Sequence, residues 1–300
     1  MTYKLNLEKS PIDERDWIAE NFYSASYTAP ETFTLVPDLP PVRDQGPYGT
    51  CAAQVASCMK EWQEKQDVDY SDYMSPQFIY NNRSNPAEEG MYPRDVMSIL
   101  KNKGICSEAS YPYKSMDVIT DSIYEEASKY VISSYAAVTT IEGLKQALVA
   151  SGPCFIGFPV YNTGVRFWHA DAGDVYLGGH AVTVVGYTDT GFILRNSWGA
   201  DWGDDGYTIF PYADWGSQWE VWTTIDADTI INDQGSEWEV IEPEIVVPVE
   251  PEPEIVVPVP VVPVVPVVPK SKSRKKSLDP RGRRKNIKLF RKIAIIHKSE

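Results

Sequence analysis

Three residues of this sequence, a cysteine, a histidine and an asparagine, stand where they could carry out covalent catalysis. Cys51 follows the turn-rich stretch GPYGT and begins a predicted helix, whose dipole and free backbone N–H groups stabilise a thiolate. A free thiol with a pKa near 8.5 is only about 3 % ionised at pH 7, so an attacking cysteine also needs an imidazole nearby. His180, in GGHAVTVVGY, is the candidate base, and Asn196, in GFILRN, could fix its tautomer by accepting the other N–H. Taken singly, a cysteine at a helix start is more often a small buried hydrophobic residue, and a lone histidine is usually structural.

The patterns around these residues predict the elements that position them. Over residues 51–66, apolar side chains at three- and four-residue spacings predict a helix that packs on a core. Further helices are predicted over 75–82, introduced by Ser-Pro, and over 93–103. From about Pro153 the sequence changes to short apolar or alternating runs, as is typical of antiparallel strands. Helices followed by strands favour an α+β fold with two lobes.

Charge divides the chain of 300 residues into an acidic body and a basic end. The net charge is −14, yet the residues from Lys270 onward hold thirteen Lys and Arg against two Asp and Glu, which leaves −25 on the rest. Between these parts the composition changes to Glu, Pro, Ile and Val, and EPEIVVPV occurs twice. Proline at every third residue matches polyproline II, so residues 237–269 are predicted to form an extended linker of very roughly 90 Å.

Five segments occur in the order and approximate spacing found in papain-family cysteine proteases, and the sequence resembles that family from about residue 35 to residue 222. The segments read PPVRDQGPYGTCAA, SPQFIYNN, GICSEASYPY, GGHAVTVVGY and LRNSWGADWGDDGYTIF. The resemblance implies a helical N-terminal lobe and an antiparallel β-rich C-terminal lobe with the active site in the cleft between them. The predicted organisation is therefore a leader over 1–34, a protease domain over 35–236, the linker over 237–269 and a basic tail over 270–300.

The resemblance also implies roles for individual residues. Cys51 would attack a peptide carbonyl to form an acyl-enzyme intermediate, His180 would be its proton partner in a thiolate–imidazolium pair, and Asn196 would orient the imidazole ring. Gln45, six residues before the cysteine, matches the family's oxyanion donor, which acts with the backbone N–H of Cys51. Trp198 would shield the hydrogen bond between Asn196 and His180 from water, although a tryptophan here could also be ordinary core packing.

Substrate binding is predicted from the same resemblance. The stretch GMYP, which contains Gly90, Met91 and Tyr92, is similar to the segment that lines the non-primed side of the family's cleft, and Ala181 follows the histidine at its floor. Both features predict that the cleft accepts an apolar side chain two residues before the scissile bond.

Two departures from the family pattern concern cellular location. Secreted relatives carry a cysteine three residues before the nucleophile and usually a tryptophan just after it, but Tyr48 and Ala52 stand here. The N-terminal stretch lacks the apolar core of a secretory signal, and the apolar run over 255–269 is short and interrupted by prolines. An intracellular location in a microbial or viral relative is expected, including the virion or the host cytoplasm for a viral member.

The leader is expected to brace the folded domain. Its stretch SPIDERDW, residues 10–17, is similar to a short leader found in the intracellular branch of the family. About 35 residues precede the domain, so the long helical pro-segment that inhibits lysosomal relatives is not expected here.

The remaining cysteines and histidines form no recognisable metal motif. Cys58 and Cys154 are predicted to pack in the core, and Cys106, just past a helix stop, to be a free surface thiol. His169 is predicted to be exposed. The chain contains no HExxH motif and no Gly-rich phosphate loop, so neither a metal ion nor any other cofactor is expected.

Two classes of function remain open at this point. The first is an active endopeptidase that cleaves polypeptides; the second is a catalytically silent binding module with the same fold. The presence of Gln45, Cys51, His180 and Asn196 together favours the enzyme. The basic tail is expected to contact an anionic membrane, a nucleic acid or a partner protein, while the oligomeric state and the natural substrate cannot be predicted.

Overall fold

The structure is a computed structural model that describes residues 3–23 and 28–226 of the chain. The predicted linker over 237–269, the basic tail over 270–300 and His297 lie outside the described residues. Among the residues that are described, no helix is both long enough and apolar enough to cross a membrane.

The helix that begins at the candidate nucleophile forms the centre of the first lobe. Helix α1 spans Cys51–Val68 and ends where Asp69 adopts a left-handed conformation with φ of 55°. Thirteen of its eighteen residues are buried, because it packs against other helices on one side and against the sheet on the other. The helix predicted over 51–66 is confirmed, and its burial fixes the position of Cys51.

Shorter helices surround α1. They are α2 (Pro76–Asn81), α3 (Pro93–Asn102), α4 (Asp121–Ala127) and α5 (Ile141–Ser151). The side chain of Ser75 caps α2 by accepting the N–H of Phe78 at 3.0 Å, and Thr140 caps α5 through the N–H of Gly143 at 2.9 Å. The helices predicted over 75–82 and 93–103 are therefore confirmed to within a residue or two at their ends.

The second lobe is built on an antiparallel sheet of seven strands within the described part of the chain. The strands are β1 (Phe33–Thr34), β2 (Ile132–Ala137), β3 (Cys154–Val160), β4 (Gly178–Tyr187), β5 (Gly191–Arg195), β6 (Tyr207–Pro211) and β7 (Glu220–Asp226). Their order is β2-β7-β3-β4-β5-β6, and β1 pairs with β4. The strand β4 contacts α1, so the nucleophile's helix and the strand of His180 lie side by side.

Two groups of buried apolar residues hold this arrangement together. One lies among α1, α2, α3 and α4 and extends to the face of the sheet that carries Phe155 and Trp222. The other fills the opposite face of the sheet beneath α5, with Phe158 and Phe210 among its members. The predicted α+β fold with a helical lobe and a β-rich lobe is confirmed.

The prediction for Cys106 is wrong. The Cys106 side chain is completely buried in the helical lobe, because the chain turns inward after α3. The backbone carbonyl of Cys106 accepts the N–H of Ser75 at 2.8 Å. Cys58 and Cys154 are buried as predicted, and the four cysteines are unpaired. His169 is exposed as predicted, with about half of its side chain accessible.

The described leader has two parts that contact different regions. Residues 3–10, which we call the cleft segment, run alongside Gly179 and Met91 in parallel bridges. Residues 13–23, which we call the brace segment, lie against the outer helices and strands. The carbonyl of Trp17 accepts the N–H of Ala137 at 2.7 Å, and the carboxylate of Glu20 accepts the backbone N–H groups at the start of α5. The brace segment thus holds the leader to the domain, as expected.

Candidate active site

The candidate nucleophile lies at the first turn of α1 and faces β4. Cys51 is only 1 % exposed. Its sulfur lies within hydrogen-bonding reach of the backbone N–H groups of Ala52 at the helix start and of Ala181, the residue that follows His180. The packing of α1 on β4 therefore places the thiol beside the candidate base.

The candidate base has a defined tautomer. His180 Nε2 lies 2.8 Å from Oδ1 of Asn196, which follows β5. The same Oδ1 accepts the backbone N–H of Ser197 at 2.8 Å, so this atom is an acceptor and Nε2 must carry the proton. Nδ1 of His180 is consequently an acceptor, and it has no hydrogen-bond partner among the described residues. The ring is therefore ready to take a proton at Nδ1.

Aromatic rings enclose this hydrogen bond. The ring of Trp198 stacks on the imidazole of His180 with centroids 4.5 Å apart, and Phe167 meets the imidazole edge-on at 5.6 Å. Both aromatic residues are buried, and His180 is not accessible to solvent. The arrangement keeps water away from the hydrogen bond between His180 and Asn196.

The candidate oxyanion donor is held from both ends of its amide. Gln45 Oε1 accepts the hydroxyl of Ser197 at 2.7 Å, which orients the amide so that Nε2 is the donor. Nε2 donates to the carbonyl of Tyr48 at 2.9 Å and lies 3.5 Å from the carbonyl oxygen of Lys4 in the cleft segment. A peptide carbonyl of the leader thus occupies the space that Gln45 faces.

The residues predicted to bind substrate contact the cleft segment instead. The carbonyl of Met91 accepts the N–H of Glu8 at 3.1 Å, and the hydroxyl of Tyr92 hydrogen-bonds to the Glu8 side chain. At Gly90, a Cβ atom would lie 1.8 Å from the carbonyl oxygen of Asn6, so the leader backbone passes directly over this glycine. These contacts place the leader in the cleft where a substrate is expected.

One leader side chain is buried in the cleft. Leu7 is 3 % exposed and belongs to the same buried cluster as Met91, Ala181 and Trp222. A Cβ built on Gly157 would lie 2.8 Å from Leu7 Cδ2, so the absence of a side chain at that glycine makes room for Leu7. We call the space lined by Met91, Gly157, Ala181 and Trp222 the Leu7 pocket.

The N-terminal end of the cleft segment is also anchored. The ring of Tyr3 stacks on Trp198 with centroids 4.5 Å apart, and its hydroxyl donates to the Trp198 carbonyl. The ammonium group of Lys4 pairs with Glu89 at 2.5 Å on the surface. The leader therefore spans the site from Trp198 to the Leu7 pocket.

The filled cleft changes the protonation of the candidate pair. Burial raises the pKa of the Cys51 thiol to about 11, against the opposing effect of the nearby backbone N–H groups. Burial also lowers the pKa of His180 to about 4, despite its hydrogen bond to Asn196. The thiolate–imidazolium pair expected from the sequence is therefore a neutral thiol and a neutral imidazole when the leader excludes water.

Two residues of the site were missed by the sequence reasoning. Ser197 orients the amide of Gln45. It lies in the NSWG stretch that resembles the family, but no role was predicted for it. Leu7 fills the cleft from a position that is distant in sequence. The alternation of apolar and polar residues over 3–8, YKLNLE, is the signal that could have predicted an extended segment paired with a strand.

Comparison with known proteins places these observations in a family. Residues 31–218 match the family model described as papain family cysteine protease. The chain is 30 % identical over 197 residues to an uncharacterized peptidase C1-like protein of Acanthamoeba polyphaga mimivirus, a match covering 56 % of this chain and 63 % of that protein. It is 28 % identical over 204 residues to cysteine proteinase 3 of Entamoeba histolytica, which covers 63 % and 65 % of the two chains. The chain thus spans a little less than two thirds of these two relatives.

A solved structure agrees with the sequence matches. The crystal structure of xylellain, a cysteine protease from Xylella fastidiosa, superposes with a TM-score of 0.65 at 26 % identity and covers 75 % of this chain and 99 % of that one. The residues matched by the family model, 31–218, include α1 and β4. The chain belongs to the papain family of cysteine proteases.

Proposed function

We propose that this chain is a cysteine endopeptidase that hydrolyses peptide bonds through Cys51, His180 and an acyl-enzyme intermediate. The observation that carries the proposal is the hydrogen bond from His180 Nε2 to Asn196 Oδ1. This bond leaves Nδ1 of His180 as a proton acceptor. The next residue, Ala181, places its backbone N–H within hydrogen-bonding reach of the Cys51 thiol. A buried imidazole with a fixed tautomer and an unused nitrogen is the arrangement that a cysteine nucleophile needs.

The chemistry follows from these positions. His180 Nδ1 takes the proton of the Cys51 thiol, and the thiolate attacks the substrate carbonyl carbon, so that a C–S bond forms and the negative charge moves to the carbonyl oxygen. Gln45 Nε2 and the backbone N–H of Cys51 stabilise this oxyanion. When the C–N bond breaks, His180 returns the proton to the leaving amine. Water then attacks the thioester with His180 as base, which releases the acid and restores the thiol.

Substrate binding requires the cleft segment to withdraw. The leader carbonyl at Gln45 and the Leu7 side chain in its pocket occupy the same space as a bound polypeptide would. The state with the leader in the cleft, which we call the closed state, is therefore inactive. The enzyme works from an open state in which residues 3–10 have left the cleft while the brace segment keeps its contacts.

The test of the proposed activity is the cleavage of an internally quenched peptide that is blocked at both ends. We expect the full-length chain with Leu7→Ala, which weakens the closed state, to cleave such a peptide at an internal bond. Adding Cys51→Ala should lower the rate by about 10⁴-fold or more, as is typical when a catalytic nucleophile is removed. Cleavage that survives Cys51→Ala would contradict the role of this residue.

The same experiment distinguishes the proposed enzyme from a catalytically silent binding module. A binding module with this fold would hold the blocked peptide without cleaving it. Peptide binding by the Leu7→Ala chain, seen as a change in fluorescence anisotropy with no cleaved product, would contradict the proposed enzyme.

A further inference from the structure

A small cavity lies between α1 and the strands that lead to His180 and Asn196. Gln54 lines it from α1, Thr183 lines it from β4, and Asn196 lines it from the end of β5. Arg43 closes another side. The cavity has a volume of about 20 Å³, whereas one buried water needs about 10–15 Å³. The space is therefore large enough to hold a water molecule.

Four polar atoms on the residues that line this cavity are buried and have no hydrogen-bond partner among the described residues. They are Oε1 and Nε2 of Gln54, Nδ2 of Asn196 and Nε of Arg43. The residues that carry them are fixed in place. Gln54 is 5 % exposed and lies one turn after Cys51 on α1, and Arg43 donates to the buried carboxylate of Glu61 at 2.8 Å. Buried polar groups of this kind are normally satisfied by protein or by an internal water.

The surroundings of Gln54 determine which of its amide atoms faces the cavity. The hydroxyl of Tyr113 lies close to the Gln54 side chain. This hydroxyl donates to the carbonyl of Gln45 at 2.8 Å and therefore accepts the hydroxyl of Thr50 at 2.7 Å. Because its proton is already used, the Tyr113 oxygen attracts only the donor Nε2 of Gln54. The acceptor Oε1 is left to face the cavity.

We propose that a water molecule bound in this cavity joins Gln54 to Asn196, and that Gln54 thereby positions the imidazole of His180. The water accepts the N–H groups of Asn196 Nδ2 and Arg43 Nε and donates to Gln54 Oε1. These are three hydrogen bonds, which is the usual number for a buried water. The inference rests on the proposed peptidase function, and it makes Gln54 a positioning residue that acts through Asn196.

The orientation of the Asn196 amide decides whether His180 can act as a base. If the amide were rotated by 180°, Nδ2 would donate to His180 Nε2, and the imidazole proton would then lie on Nδ1. Such a ring has no free nitrogen with which to take the proton of Cys51. The backbone N–H of Ser197 holds Oδ1 of the amide at 2.8 Å, and the water holds the opposite atom, Nδ2.

The kinetic experiment compares the hydrolysis of the quenched peptide by the full-length Leu7→Ala chain with and without Gln54→Met. This substitution keeps the length of the side chain and removes both of its polar atoms. We expect kcat to fall about 5- to 10-fold, the scale of one hydrogen bond. KM should stay within about twofold, because the orientation of His180 affects the chemical step. When Asn196→Ala is also present, Gln54→Met should change kcat by less than about twofold, since the residue through which it acts is gone.

Gln63→Met is the matched control. It also removes a buried glutamine from α1, but Gln63 Nε2 donates to Thr224 Oγ1 in β7 at 2.9 Å and not toward the cavity. This variant should leave kcat within about twofold. If Gln54→Met lowered kcat no more than Gln63→Met, or equally with and without Asn196, the inference would be overturned while hydrolysis by the Leu7→Ala chain still supported the peptidase. If the Leu7→Ala chain did not hydrolyse the peptide, the proposed function would be contradicted and the inference with it.

A crystal structure of the full-length Cys51→Ala chain tests the water itself. We expect one water molecule within about 3.2 Å of both Gln54 Oε1 and Asn196 Nδ2. An ion in its place, or a direct contact between the two amides, would overturn the inference whatever the kinetic result.

Discussion

Replacement of Leu7 by alanine is expected to raise the rate of peptide hydrolysis by the full-length chain by about 30-fold or more. Truncation of a buried leucine costs about 2–5 kcal/mol, and Leu7 is 3 % exposed in its pocket. In the open state Leu7 is withdrawn from the pocket, so the cost falls on the closed state alone. A shift of about 2 kcal/mol changes the ratio of open to closed molecules by about 30-fold.

The measurement is the initial rate of hydrolysis at a substrate concentration below KM. Ile12→Ala is the matched control, because Ile12 is also an aliphatic leader residue but is 95 % exposed. This variant should hydrolyse the peptide at the wild-type rate. If the Leu7→Ala and wild-type chains were equally fast, the cleft segment would not be what limits access to the site.

The second large effect concerns the reactivity of Cys51 as a function of pH. Alkylation follows the thiolate, and with a pKa of about 11 only about 10⁻⁴ of the thiol is ionised at pH 7 in the closed state. When the leader leaves, water reaches the site and the imidazolium of His180 can stabilise the thiolate. Because Leu7→Ala raises the ratio of open to closed molecules by about 30-fold, the Leu7→Ala chain should be alkylated at Cys51 up to about 30-fold faster at pH 7.

The dependence of the Cys51 alkylation rate on pH should differ between the closed state and the Leu7→Ala chain. In the closed state, reactivity should climb steadily from neutral pH toward pH 11, because deprotonation of the buried thiol is incomplete below that value. In the Leu7→Ala chain, reactivity should already be high near neutral pH and fall only in acid, where the thiolate is protonated. Adding His180→Ala should return the reactivity to the alkaline range, because the stabilising cation is lost.

Alkylation is measured by mass spectrometry of the peptide that contains Cys51 after a timed reaction with iodoacetamide. Cys154 is an internal reference, since it is fully buried, its pKa is raised to about 12 and it lies away from the cleft. Its labelling should be slow in every variant. A profile that is the same with and without His180 would show that another group activates the thiol.

Much of the fold could be predicted because its signals are local. The apolar spacing within 51–66 specifies a helix, and Ser75 followed by Pro76 supplies both a cap and a first-turn proline for α2. The packing of Cys106 could not be predicted in this way. Its burial depends on a bridge between Met74 and Ser107, which are far apart in sequence, and no pattern near the cysteine indicates it.

Some residues of the candidate site likewise have a local sequence signal and others do not. Gln45, Cys51 and His180 lie in motifs that carry their own local signal, and the structure brings their elements together. The contacts of Leu7 with Met91, Ala181 and Trp222 join distant parts of the described chain, so Leu7 is not recognisable from its neighbours in sequence. The protonation of Cys51 and His180 in the closed state could not be predicted either, because the sequence does not reveal that the leader excludes water from the thiol.

In the proposed mechanism, Cys51 is a nucleophile that the leader holds inactive. It is tested most directly by mass spectrometry of the intact chain and of its peptides after treatment with a peptidyl fluoromethyl ketone that alkylates papain-like cysteines. We expect one adduct per molecule, located on Cys51, that forms rapidly in the Leu7→Ala chain, slowly in the wild-type chain and not at all when His180→Ala is added. Equal labelling of the wild-type and Leu7→Ala chains, or an adduct on Cys58, Cys106 or Cys154 in place of Cys51, would contradict it.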